Sequence, residues 1–394
     1  MSQNDVVIAS AVRTPIGSFQ GALASLSASD LGAIAVKEAV KRANAEPGQV
    51  ERLIMGNVLP AAMGQAPARQ CVIKAELPVS IGAITVNKVC GSGLQAVMFA
   101  RREILVGDAE VLVAGGMESM TNAPYALPNA RGGYRMGDGK IVDTMIHDGL
   151  WDPYDNVHMG TCGDLVAEKY GFTRERQDEF AKTSYQRALA AQKEGRFKQE
   201  IVPVSVPQRR GEPLLCDEDE EPKRVKLDKL TGLRPAFSKT GTVTAANAST
   251  INDGAAALLV CSRAAAERNG YPILARIVDD STAAVEPKWF TIAPVEALAR
   301  LYAKTGTKSA DWDLYEINEA FSGVTLAAAQ EHGIDPETVN VNGGAVSLGH
   351  PIGCSGARIL VTLLHALRDR GKKSGIATLC IGGGEAVALA VELV

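Results

Sequence analysis

The stretch Val86-Asn87-Lys88-Val89-Cys90-Gly91-Ser92-Gly93 returns near the other end of the chain as Val341-Asn342 followed by Gly353-Cys354-Ser355-Gly356. Residues 85–89 are rich in β-branched side chains and stop at a Gly-Ser-Gly run, which predicts a short buried strand. Leu94, Val97, Met98, Ile104 and Leu105 then fall at helical spacing. Cys90 so stands where a strand turns into a helix. Free N–H groups and the positive end of a helix dipole favour an anion there, and a thiol in that place loses its proton more readily. Cys90 is a candidate nucleophile; equally, it reads as a small apolar residue packed behind a glycine turn. The stretch alone does not separate the two readings.

The repeat extends outward. Each copy is followed by a helix, a strand and a glycine turn ending in Glu: Gly115-Gly116-Met117-Glu118, and Gly383-Gly384-Glu385. Gly93 to Glu118 is 25 positions and Gly356 to Glu385 is 29, a difference that fits a longer loop at 369–375. Leu53-Ile54-Met55-Gly56-Asn57 likewise parallels Leu314-Tyr315-Glu316-Ile317-Asn318. Strands alternating with helices, in two copies, predict an α/β layered fold. Two βα units packed face to face would bring both helix N-termini together, and with them Cys90 and His350, which lie 260 positions apart.

The texture divides the chain into 1–119, 120–250 and 251–394, with 251–269 a joining strand region. Residues 120–165 are rich in Gly, Pro, Asn and Asp, which predicts a long functional loop. A helix is expected over 30–43, capped by Ser29 or Asp30, and a strand over 339–342. The acidic run 217–221 reads as a solvated loop.

Composition narrows the class. The chain has 394 residues, 46% hydrophobic and 22% charged, with a net charge of −4, which is ordinary globular usage. It has no long Lys/Arg block, which argues against nucleic acid and membrane surfaces as partners. Seven cysteines, odd in number and without CxxC spacing, predict free thiols in a reducing, cytoplasmic setting rather than a disulfide framework. Five histidines without HxxxH or HExxH spacing argue against zinc, and no metal is expected. The start runs almost directly into the strand Val6-Val7-Ile8-Ala9 with no leader in view, and the apolar runs are too broken to span a bilayer.

Three further residues carry chemistry. His350 sits in the glycine-rich loop Leu348-Gly349-His350-Pro351 and would take a proton from a neighbouring Cys; it also reads as a hydrogen-bonded loop residue. Cys380 ends an apolar strand before Gly382-Gly383-Gly384. It reads either as inert packing or as a second thiol for proton transfer, with backbone N–H groups of the glycine run aimed at an oxyanion. Asn318 ends a strand and either orients a water or caps the next helix.

Taken together, Val89-Cys90-Gly91-Ser92-Gly93, Asn318-Glu319-Ala320-Phe321, Gly343-Gly344-Ala345 through Gly349-His350-Pro351 to Ser355-Gly356, and Cys380-Ile381-Gly382-Gly383-Gly384 resemble the signature blocks of the thiolase family. Arg13-Thr14-Pro15, Gly115-Gly116-Met117-Glu118-Ser119, Leu233-Arg234-Pro235-Ala236-Phe237 and Asn247-Ala248-Ser249 are similar to it as well. The resemblance implies duplicated βαβαβ halves in a layered α-β-α-β-α core with an inserted loop domain. It implies reversible condensation of two acetyl-CoA to acetoacetyl-CoA and CoA, or thiolytic cleavage, through an acyl-Cys90 intermediate. His350 then matches the base that activates Cys90, and Cys380 the acid/base at the acetyl-CoA methyl. Asn318, through a water, and His350 match one oxyanion hole; the N–H groups of Cys90 and Gly382 match the other. A carbanion next to a thioester is strongly basic, so it needs donors at oxygen as well as a base at carbon.

The same resemblance places residues 120–250 over the CoA site. Leu150, Met159, Phe237, Ala245, Ser249 and Phe321 match positions lining CoA and its pantetheine arm. His158-Met159-Gly160 is similar to the short-chain acetoacetyl-CoA thiolases, and Lys223 or Arg224 is the candidate for the CoA phosphate. Trp289-Phe290-Thr291-Ile292-Ala293-Pro294 departs from the Met-Gly-x-Gly-Pro run of many members. It is nearer to the mitochondrial type, some of which accept a 2-methyl branch and respond to potassium. No other cofactor is expected. The resemblance also implies a homotetramer, a dimer of dimers in which 120–145 takes part. Competing readings are a 3-ketoacyl-CoA thiolase of broader chain length, a ketoacyl synthase, disfavoured by the single Gly-His-Pro block, and a non-catalytic CoA-binding homologue.

Overall fold

A computed structural model describes residues 5–394. Five strands belong to the amino-terminal half: β1 (Val6–Arg13), β2 (Arg52–Gly56), β3 (Gly82–Val86), β4 (Val111–Ser119) and β5 (Asn252–Ser262). Four belong to the carboxy-terminal half: β6 (Ala275–Ala284), β7 (Leu314–Ile317), β8 (Ser374–Ile381) and β9 (Glu385–Leu393). They run in the spatial order β7-β8-β9-β6-β1-β5-β4-β2-β3, and β1 and β6 meet at only two residue pairs, Val7–Arg276 and Ile8–Ala275. That narrow seam joins two sheets of one design.

In the first, β2 runs parallel to both β3 and β4, then β5 and β1 follow antiparallel. In the second, β7 runs parallel to β8, then β9 and β6 follow antiparallel. The place of β3 is taken by a single parallel bridge from Tyr315 to Val339. Matching bulges interrupt β1 between Ile8 and Ser10 and β6 between Ile277 and Asp279. The strand expected at 339–342 is therefore the reduced counterpart of β3. Its place is held by Asn340, whose amide exchanges hydrogen bonds of 2.8 Å with the backbone of Ile317. β5, assigned by texture to the carboxy-terminal half, pairs with β1 and β4 and lies in the amino-terminal sheet.

The helices complete five layers. α1 (Ala28–Arg42) and α2 (Pro67–Lys74) cover the outer face of the first sheet, and their apolar residues share one core with β1, β2 and β4. α3 (Ser92–Val106) and α8 (Ile352–Asp369) lie between the sheets. α4 (Met159–Tyr170) and α5 (Arg174–Lys193) belong to the central segment. α6 (Ala293–Thr305) and α7 (Ser322–His332) cover the second sheet. The expected α-β-α-β-α layering is the observed one. α1 is capped by Ser27, with Asp30 at the third helical position completing a reciprocal capping box, two residues before Ser29 and three before Asp30, the caps the sequence suggested.

α3 and α8 touch backbone to backbone. A Cβ on Gly93 would lie 2.7 Å from the Ala357 nitrogen, and one on Gly356 would strike the Leu94 nitrogen. Gly93 and Gly356 are repeat partners, 263 positions apart. The same offset relates the ends of α3 and α8 (Val106, Asp369) and the starts of β4 and β8 (Val111, Ser374). The connection at 369–375 is therefore not lengthened, and the partner of Glu118 is Ile381 rather than Glu385.

The acidic run is also not a solvated loop throughout. Asp219 is buried, grips the Arg13 guanidinium with both oxygens at 2.6 and 2.9 Å, and accepts the Ile16 N–H at 2.8 Å. Glu220 accepts the N–H groups of Ser18 and Ala22. An acidic side chain is drawn inside here because β1 carries a buried Arg that Glu200 alone leaves half-satisfied.

Candidate active site

The strand that leads to Cys90 is β3, ending at Val86 rather than 89, and it is half-exposed at the edge of the sheet instead of buried. Residues 87–91 form a tight turn. Val89 takes a left-handed φ of 45°, a costly conformation for a β-branched residue that clusters at functional sites. The turn is held by Ser92, whose hydroxyl accepts the Lys88 N–H at 2.8 Å and donates to the Val89 carbonyl at 2.7 Å. Asn87 accepts the Val89 N–H at 3.0 Å.

Cys90 lies just ahead of α3, and His350 just ahead of α8. Because the two helices pack through their glycines, the side chains meet: His350 Nε2 is 3.3 Å from Cys90 Sγ. Ser355, the repeat partner of Ser92, donates to the Pro351 carbonyl at 2.8 Å and stands 2.5 Å from His350 Nδ1. With its one hydrogen committed to that carbonyl, the Ser355 hydroxyl accepts from Nδ1–H. Nε2 is then the bare nitrogen facing the thiol. Asn252 fixes the His350 backbone by accepting its N–H at 2.9 Å. Neither Ser355 nor Asn252 was assigned a role from sequence; Ser355 was findable as the repeat partner of the serine beside Cys90.

The protonation states differ from the expected easy thiolate. Burial pushes the Cys90 thiol up to about 11, against the opposing pull of the backbone N–H groups of Gly382 and of Cys90 itself. Burial, with the Arg358 charge behind it, drives His350 down to about 3. The resting pair is a neutral thiol beside a neutral imidazole. Desolvation of both partners outweighs the helix N-terminus.

Cys380 is fully buried at the end of β8, and its thiol is raised by burial and by the nearby Cys90. Asn318 ends β7, buried, with neither amide atom hydrogen-bonded within the protein. It does not cap α7, whose first turn has no side-chain cap. The amide is free for a water or carbonyl of the site. Glu118 accepts the Asn57 amide and the N–H groups of Val58, Leu59 and Gly353. It ties the amino-terminal half to the start of α8, and burial pushes its carboxyl up to about 7.

An apolar cluster adjoins these groups. Met159, Phe290, Ala320 and Phe321 pack with Cys380 in one cluster, with Phe237 against it. The His158 ring stacks on Phe237 at 4.7 Å, and its Nδ1 accepts the Gly160 N–H at 3.1 Å, capping α4 and leaving Nε2–H outward. This helix starts inside the span expected to be loop. Gly160 has no room for a Cβ against the Phe237 ring. Ser249 donates its N–H to the Ala320 carbonyl at 3.0 Å. Leu150 packs in the cluster that includes Cys90 and Ile352. Ala245, Lys223 and Arg224 are not drawn into this cluster: all three are exposed, and Lys223 pairs with Glu218. All seven cysteines are free thiols. Among the described residues no three His, Cys, Asp or Glu side chains gather as a metal site, and no helix is long and apolar enough to cross a membrane.

A neutral Cys–His pair, a second buried thiol, two backbone N–H donors and a free amide make a site for acyl transfer through a thioester. The chain matches the thiolase amino-terminal domain over residues 6–264 and the thiolase carboxy-terminal domain over 271–393. It belongs to the thiolase family. It is 55% identical to an acetyl-CoA acetyltransferase of Cupriavidus necator over 389 residues, covering 98% of this chain and 99% of that one. It is 53% identical to the enzyme of that name from Pseudomonas aeruginosa, with 98% of each covered. A thiolase from Ascaris suum, solved in complex with coenzyme A, is 46% identical and superposes with a TM-score of 0.94, covering 99% of this chain and 100% of that one. The Bacillus anthracis acetyl-CoA acetyltransferase is 44% identical with a TM-score of 0.97, covering 99% of both.

Proposed function

We propose that the chain is an acetyl-CoA acetyltransferase that interconverts acetoacetyl-CoA plus CoA and two acetyl-CoA. The observation that carries this reading is the 3.3 Å approach of Cys90 Sγ to His350 Nε2 beside Cys380 and the unpartnered Asn318. In cleavage, His350 Nε2 takes the Cys90 proton as sulfur attacks the 3-keto carbon. The C2–C3 bond breaks and its electron pair becomes the enolate of acetyl-CoA. Cys380 gives that carbon its proton, while a water held by Asn318, with His350, stabilises the enolate oxygen. The Cys380 thiolate then deprotonates CoA, whose sulfur takes the acetyl group from Cys90, and His350 returns its proton to Cys90. The N–H groups of Cys90 and Gly382 stabilise the oxyanion of each acyl transfer.

The apolar wall of Met159, Phe237, Phe290 and Phe321 suits a short acyl chain and the pantetheine arm, with His158 at its edge. Lys223 or Arg224 meets the CoA phosphate from the surface. The run Trp289-Phe290-Thr291-Ile292-Ala293-Pro294, which places Phe290 in that wall, supports tolerance of 2-methylacetoacetyl-CoA and a response to potassium. Two separate apolar surfaces support a homotetramer. One is the edge of β3 with α3, exposing Val79, Ile84, Phe99 and Val106; the other is the loop exposing Tyr125, Leu127, Met136 and Ile141. The free thiols support a cytoplasmic setting.

The test is the loss of acetoacetyl-CoA on adding CoA, for wild type and Cys90→Ala, with and without potassium and with the 2-methyl substrate alongside. Loss by the wild type alone is expected. A wild type that leaves acetoacetyl-CoA intact, or an equally active Cys90→Ala, overturns the reading.

A further inference from the structure

Cys90 and its acyl-oxyanion donors come from two turns in different halves of the molecule. One is the 87–91 turn, strained at Val89. The other is Gly382-Gly383-Gly384, in which Gly383 and Gly384 both hold a φ near 90°. Ile381, the residue before Gly382, packs on Gly91, the residue after Cys90, and the Gly382 N–H pulls the Cys90 thiol down against burial, so the spacing of the two turns sets where that donor stands. Two contacts close the joint. Ile381 packs so closely on Gly91 that a Cβ there would push its side chain aside. Lys88 Nζ lies 2.7 Å from Glu385 Oε2, across 297 positions of sequence.

This ion pair is well anchored at both ends. The Lys88 N–H is held by the Ser92 hydroxyl, and its carbonyl accepts the Gly91 N–H at 3.0 Å. Glu385 begins β9 and is paired with Ile381 on one side and Ala284 on the other. The side chains are 21% and 40% exposed, so water screens the pair and its share of global stability is small. Its effect is local.

We infer that Lys88 and Glu385 are positioning residues that clamp the Cys90 turn to the Gly382 turn and so hold the Gly382 N–H beside Cys90, where it meets the acyl oxygen during transfer. This inference rests on the acyl-transfer reading of the site. Misplacing one oxyanion donor acts on the transition state and leaves substrate binding nearly untouched.

The experiment compares wild type, Lys88→Met, Glu385→Gln, the double neutral variant and the charge-exchanged K88E/E385K in acetoacetyl-CoA cleavage. Each is also tested for melting temperature and for the rate of Cys90 alkylation by iodoacetamide. Each single variant is expected to lose about tenfold in kcat with KM within about twofold. The double neutral variant should be no slower than the slower single one, and the charge exchange should recover most of the rate. Glu385→Gln is isosteric and keeps the fold; if it melts like the wild type and keeps wild-type kcat, the clamp is wrong. Losses that multiply in the double variant, or that fall on KM, also overturn it. A wild type that does not cleave acetoacetyl-CoA sinks the acyl-transfer reading instead. The clamp is then judged on alkylation alone, where unchanged Cys90 reactivity in both single variants overturns it and a changed rate upholds it.

Discussion

His350 is enclosed by protein, and its imidazole binds a proton only near pH 3, against 6.5 when free. The unfolded chain therefore takes up a proton that the native state refuses, and native stability falls as pH drops from about 6.5 toward 3. Above 6.5 both states are neutral and the full contribution is present. Between pH 7 and pH 5 this one group costs about 2 kcal/mol. His350→Asn cannot titrate, so its melting temperature should fall less than that of the wild type over the same interval. His365, also buried and lowered, acts equally in both proteins and cancels. Identical slopes would show that His350 becomes protonated in the folded state. The meeting of Cys90 and His350 was legible in the sequence, because the repeat placed each before a small-residue helix start. Their charge was not. A helix N-terminus can be read locally, but desolvation sums over every group that surrounds the thiol, and those groups come from the whole chain.

At the scale of elements, catalysis hangs on two helices in backbone contact. Gly93 and Gly356 make that contact possible, and each has the other helix's backbone where a Cβ would go. Backbone cannot yield as a flexible side chain does, so Gly356→Ala must part α3 from α8. Overpacking of this kind costs about 1–3 kcal/mol, and the shift lands on the 3.3 Å gap between Cys90 and His350. The expected result is a drop in kcat of about a hundredfold with a smaller change in KM. Full activity in Gly356→Ala would mean the helices reseat without moving the pair. The helices and most strands were readable from periodicity. The register of the repeat was not, because a Gly-Gly-x-Glu likeness four residues along was more conspicuous than the true partner, Ile381. The matching ends of α3 and α8 and the matching starts of β4 and β8 fix the offset at 263. The strand expected at 339–342 failed for a related reason. Its residue types suit a strand, but only Val339 bridges to the sheet, while Val341 bridges locally to Gly343.

Across the whole molecule, the central segment has to be fastened to the βα core. Arg13 does this from the end of β1. Its guanidinium is buried and shared between Glu200 and Asp219, and it stacks over the Phe197 ring at 5.1 Å. Asp219 holds it with both oxygens and takes the Ile16 N–H as well. A charged run in sequence gives no sign of this, since its partner lies 206 positions away and only the folded core reveals that Asp219, alone of the five acids, is fully buried. Removing one partner of a buried pair leaves the other uncompensated, at a cost of about 3–5 kcal/mol. Asp219→Ala should therefore melt several degrees below wild type, whereas Asp217→Ala, its exposed neighbour in the same run, should match wild type. The loss should also be local, because the segment freed is the one the acid held. Trypsin should cut at Arg209, Arg210 or Lys223 faster in Asp219→Ala than in wild type, while the βα core stays intact. If both variants melt within about 1 °C of wild type and are cut at the same rate, the fastening is carried by Glu200 and the Phe197 stack instead.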